Sequence, residues 1–90
     1  MRGIYHFFWD YGRMGKLDGI FVADSEEIVA AIGKTAAFGE VLGHYSDIYD
    51  DIKNGDIQLC TEDQVFIDKA IEYGVVPIGY NPLNCIDEDD

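Results

Sequence analysis

Positive charge is scarce in this 90-residue chain. Six lysines and arginines stand against eighteen aspartates and glutamates, a formal net charge of −12. A surface so poor in cations repels nucleic acid and anionic membranes, and it attracts basic proteins and cations. Cysteine is scarce too. Cys60 and Cys85 make no disulfide framework, no CxxC pair and no Cys/His metal spacing. Reduced thiols in a cytoplasmic setting are expected. No apolar run approaches a membrane-spanning length. The segment MRGIYHFFWDYG is broken by Asp10 before it could form the apolar stretch of a secretory signal. These absences predict a soluble cytoplasmic chain that touches neither membrane nor nucleic acid directly.

Hydrophobic residues make up 48% of the chain and aromatics 13%, enough for one small core and too much for a disordered composition. A single domain over residues 1–86 is expected, followed by a disordered acidic tail at 87–90. The charge is uneven. Residues 1–23 hold two acids against three bases, and residues 24–90 hold sixteen against three. The acidity belongs to the later three quarters of the chain.

Residues 3–11 (GIYHFFWDY) read as a strand, with Tyr5, Phe7, Trp9 and Tyr11 on its core face. Gly12 to Lys16 form a turn, and residues 17–23 return as a second strand, giving a hairpin. Asp24 or Ser25 caps a helix, and Asp24 with Glu27 three residues on is an acidic form of the capping box. The apolar stripe of this helix is Ile28, Val29 and Ile32, and Gly33 stops it. Residues 35–42 read as a third strand with a bulge at Gly39. Residues 44–53 favour a short helix or irregular loop, with Asp47, Asp50 and Asp51 on one helical face. A short strand at 56–59 precedes a helix opened by the capping box Thr61/Gln64 and buried through Phe66, Ile67, Ala70 and Ile71. Val75 to Ile78 read as a short edge strand, because proline is not tolerated in a central one. The expected fold is α+β: a small, mostly antiparallel sheet of about four strands with two helices packed on one face.

Motifs that would carry chemistry fail on their own requirements. With Gly55 at the turn position of a calcium loop, Asp50, Asn54 and Asp56 fall on ligand positions. Ile52 and Thr61 occupy two others, and Thr61 stands where a bidentate glutamate is needed. Gly33-Lys34-Thr35 ends like a phosphate loop, but it follows a helix instead of preceding one. Cys60 with His6 or His44 has no local support as a nucleophile–base pair. No catalytic residue, no metal ligand set and no cofactor is assigned, and a non-enzymatic protein is expected.

What remains is the stretch HYSDIYDDIKNGD at 44–56. A scaffold that fixes carboxylates in a row imitates the charge of nucleic acid, about one per 1.7 Å of duplex axis. Its partner would be the basic surface of a nucleic-acid-binding protein, drawn in by electrostatic steering. The candidate contact residues are Asp47, Asp50, Asp51, Asp56, Glu62 and Asp63, with Tyr45 and Tyr49 as apolar anchors. Three other readings stand beside this one: a merely solvated acidic face, a cation-binding module, and a structural domain that forms a homodimer through the aromatic hairpin Tyr5–Val22.

The blocks WDYGRMG, LDGIFVAD, AFGEVLGHYSDIY and GYNPL resemble, in this order and over nearly the whole chain, a group of small uncharacterised acidic proteins of bacteria and their phages. The resemblance brings no activity, cofactor or site residue. It implies a protein similar in kind to phage inhibitors of host defence, of the anti-CRISPR and anti-restriction DNA-mimic type.

Overall fold

A computed structural model describes residues 1–42 and 47–86. The aromatic run forms β1 (Arg2–Asp10) and LDGIFVA lies within β2 (Lys16–Asp24). The two pair antiparallel from Arg2↔Asp24 to Asp10↔Lys16 around a 3-10 turn at Gly12–Met14. On the outer side of β1 lies β5 (Ile57–Thr61), and on the outer side of β2 lies β6 (Ile78–Gly79). The sheet order is β5-β1-β2-β6, antiparallel throughout. With α1 (Ser25–Ala31) and α2 (Gln64–Glu72), it gives the α+β class and the four-stranded sheet expected from the sequence. The third predicted strand is not part of this sheet. β3 (Thr35–Gly39) pairs instead with β4 (Ile48–Asp51) as a separate two-stranded ribbon, bulged between Ala37 and Gly39 as the glycine suggests.

Strand alternation divides β1 into two faces. Tyr5, Phe7 and Trp9 enter the main core with Leu17, Phe21 and Ala23 of β2, Ile28 and Ala31 of α1, Ala36, Ile48, Ile52 and Ile57. On the opposite face, Ile4 packs with Ile67 and Ala70 of α2 and with Val76. The helices therefore lie on opposite faces of the sheet, not together on one. A 90-residue chain with aromatics at odd positions of β1 and isoleucine or phenylalanine at even ones has apolar surface to cover on both sides. α1 and the β3–β4 ribbon cover the first side, and α2 covers one end of the second.

Local chemistry explains the helix starts. The Asp24 amide donates to Glu27 Oε1 at 3.1 Å, the capping-box arrangement read from the sequence. α2 starts later than expected. Asp63 is its N-cap and accepts from the amides of Val65 and Phe66, while Thr61 ends β5. Gln64 serves tertiary structure, donating to the carbonyls of Arg2 and Glu62. Both apolar stripes are narrower than predicted. Ile28 and Ala31 are buried in α1, with Val29 outside; Ile67 and Ala70 are buried in α2, with Phe66 and Ile71 exposed.

β6 is positioned by two glycines. Gly19 and Gly79 face each other across β2 and β6. A Cβ on Gly19 would run into the Tyr80 backbone, and one on Gly79 into the Asp18 carbonyl. Gly79 also has φ +77°, which disfavours any side chain. No helix among the described residues is long and apolar enough to cross a membrane.

Candidate functional site

Within residues 44–53, where a short helix or irregular loop was expected, Ile48–Asp51 form β4. Ile48 and Ile52 are 3% and 1% exposed, and Asp50 between them is half-buried on the same side. Burial of these two isoleucines against the main core, with pairing to β3, outweighs the helical spacing of the aspartates. Asp47, Asp50 and Asp51 therefore do not form a helical face. Asp50 turns towards β1; Tyr49, 56% exposed, and Asp51 belong to the other side of the strand. Tyr45 and His44, and the tail at 87–90, lie outside the described residues.

Asp50, Asp51 and Asp56 all line one cleft of about 340 Å³, with Asp10, Tyr11, Trp9, Phe8 and Lys53. Asp10 is the last residue of β1, and Asp56 immediately precedes β5, so the end of the sheet brings them together. Asp56 is tied in firmly. Its Oδ2 accepts from Trp9 Nε1 at 2.8 Å and from the Lys53 amide at 2.8 Å. Its carbonyl accepts from the Phe8 amide at 3.1 Å. Asp51 accepts from the Thr35 hydroxyl at 2.6 Å, Asp50 from the Asp51 amide and Asp10 from the Gly12 amide, each at 2.8 Å. Phe8 and Asp56 also line a second hollow with His6, Gly55 and Gln58. The Phe8 ring, 41% exposed, has Lys16 Nζ 6.0 Å from its centroid.

The Tyr11 hydroxyl is buried and without a hydrogen-bond partner among the described residues. Burial pushes its pKa above 10, and the nearby carboxylates of Asp50 and Asp56 push it further in the same direction. Both causes hold the phenol neutral, so Tyr11 adds no charge to the acidic wall.

Glu62 and Asp63 are not part of this site. They follow β5 at its far end, beside Arg2 and Gln64. Six residues of extended chain from Asp56 to Glu62 span roughly 20 Å. Asp63 is occupied as a helix cap. Sequence reading missed Asp10, Phe8, Trp9, Tyr11 and Lys53 as cleft residues. Position along β1 places Asp10 on the same face as Phe8, but the closure of Asp56 onto Trp9, 47 residues away, leaves no local signal.

Among the described residues, no group of three or more histidine, cysteine, aspartate or glutamate side chains is placed to hold a metal ion. Asp50, the first ligand of the imagined calcium loop, lies in a strand. The chain matches no family model, and neither the curated proteins nor the solved structures contain a match. The sequence-block resemblance therefore assigns no role to any residue of the cleft.

Proposed function

We propose that this protein is a non-enzymatic binding module whose cleft around Asp50 and Asp56 docks a lysine- or arginine-rich surface of a partner protein. One observation carries the reading: four aspartates line a single cleft beside an exposed phenylalanine, against one lysine. Carboxylates held by their own fold present charge to a cation with little reorganisation, and an aromatic face adds cation–π attraction. In its specific form the module occludes a nucleic-acid-binding surface, carboxylates standing where phosphates would lie. It acts by stoichiometric binding, without chemistry. Asp50, Asp51, Asp56 and Asp10 are the contact residues of this proposal, with Phe8 as the apolar anchor.

A second reading has its own support. Each of the four aspartates also accepts a hydrogen bond from the fold, so the cluster is explained as well by structural work on a solvated face. Calorimetric titration with an arginine-rich peptide at low and raised salt separates the two. Saturable binding that weakens as salt rises supports docking. Absence of saturable binding at low salt leaves the structural reading.

A further inference from the structure

The two edges of the main sheet are finished differently. β6 closes one side with Ile78 and Gly79 only, directly after Pro77. β5 closes the other side with Ile57–Thr61, and it pairs with β1 alone. The alternation of an antiparallel ladder says which of its backbone groups are left over. The Phe8 amide donates to the Asp56 carbonyl, and the register runs on through Phe7↔Ile57, His6↔Gln58 and Tyr5↔Leu59. Asp56 and Gln58 therefore turn their backbone groups towards β1. Ile57 and Leu59 turn theirs away, and among the described residues these N–H and C=O groups have no partner. Cys60, the extra residue between Tyr5↔Leu59 and Ile4↔Thr61, bulges the strand and ends the regular edge. Up to that bulge, β5 carries no lysine, no proline and no charge, the residues that usually blunt a sheet edge.

We infer that the partner of the acidic cleft adds a strand to this edge: an extended segment pairs with Ile57–Leu59, and the lysine or arginine that adjoins it enters the cleft at Asp56. The inference rests on the docking reading above and gives the partner its form. A row of unpaired backbone donors and acceptors selects an extended backbone over a helix. The head of the strand selects the charge. Asp56 stands directly before Ile57 and lines the cleft with Asp10, Asp50 and Asp51. It also lines the neighbouring hollow with Gln58 of the same strand. A strand that runs past Ile57 thus arrives beside carboxylates, where a cation is favoured. A second copy fits worse. Antiparallel pairing of two β5 strands brings Asp56 of one towards Glu62 and Asp63 of the other, and parallel pairing brings Asp56 towards Asp56. The hairpin aromatics Tyr5, Phe7 and Trp9, on which self-association was expected, are buried in the chain's own core.

Calorimetry at low salt with a pair of peptides tests the inference. One is a short β-prone stretch ending in an arginine pair; the other is the same peptide N-methylated at every amide of the stretch. The unmodified protein should bind the first, and the second more weakly by roughly tenfold or more, the effect of one or two lost backbone hydrogen bonds. Leu59→Pro removes an outward N–H and keeps the bonds to β1, a place where an edge strand tolerates proline. This variant should lose the preference and bind both peptides weakly. Circular dichroism checks its fold, and the comparison of peptides on the unmodified protein stands without it. Equal affinity of the unmodified protein for the two peptides overturns the inference and leaves the docking reading in place. No saturable binding of either overturns both. A dimer in sedimentation that Leu59→Pro abolishes overturns the inference in favour of a second copy on this edge.

Discussion

Trp9 Nε1 and Asp56 Oδ2 are 2.8 Å apart, and this one bond joins the aromatic strand β1 to the acidic loop ahead of β5. The same oxygen accepts from the Lys53 amide and so shapes the turn through Asn54 and Gly55. Asp56 is thus a structural residue first, whatever else it touches.

Asp56→Ala leaves the indole N–H and the Lys53 amide without their acceptor. A loss of about 1–3 kcal/mol is expected, carried by the part-buried indole N–H left unpaired, since the exposed Lys53 amide can turn to water. Denaturant unfolding followed by the fluorescence of the single tryptophan reports it. Asp56→Asn keeps an acceptor oxygen and should recover most of the loss.

Tyr11→Phe removes a buried hydroxyl that has no partner among the described residues. Stability should rise by about 1 kcal/mol, with the ring packing of Trp9 and Tyr11 retained. A fall in melting temperature would show that the hydroxyl has a partner.

Alkaline titration should follow the same residue. The raised pKa of Tyr11 means that the folded chain holds this proton more tightly than the unfolded one. Its contribution is complete below pH 10 and is lost as pH rises through the higher folded value. Tyr5 is raised as well, first by burial and then by Glu62 and Asp24. Ultraviolet absorbance should show late-titrating tyrosines that ionise together with unfolding. Tyr11→Phe should remove one of them.

Gly19→Ala places a methyl group against the Tyr80 backbone, which has no room to give. The β2–β6 crossing should open, at a cost of about 3 kcal/mol, the upper range for overpacking. Hydrogen exchange should show lost protection at Tyr80, whose amide donates to the Asp18 carbonyl at 3.0 Å.

Much of the fold was legible where local and global signals agree. The β1–β2 hairpin, the Asp24/Glu27 cap, the bulge at Gly39 and the helix stop at Gly33 each rest on residues close in sequence. The errors have one cause. At 44–53 the helical spacing of aspartates competed with two isoleucines whose burial depends on distant strands. At Thr61 a capping box competed with pairing to Ile4. The apolar stripes were read too broadly because periodicity does not say how much of a helix face the sheet reaches. The site followed the same rule: Asp50, Asp51 and Asp56 were found together through sequence proximity. Glu62 and Asp63, grouped with them in the sequence, lie at the far end of β5, and Asp10 and Phe8 join the cleft without a local signal, because only the β1–β5 register settles those placements.

Position, as distinct from net charge, is the central claim, and two double variants of equal charge test it. Asp50→Asn with Asp51→Asn removes two of the four negative charges of the cleft while keeping acceptor oxygens for the Asp51 amide and Thr35. Glu62→Gln with Asp63→Asn removes the same charge at the far end of β5 and keeps a good helix cap. Calorimetry with an arginine-rich peptide at low salt should show binding weakened by roughly tenfold or more in the first variant, the loss of one or two charge-assisted contacts. Binding by the second should stay close to that of the unmodified protein. Equal weakening in both, or none in the first, would contradict a docking site in the cleft and leave the aspartates to their structural work.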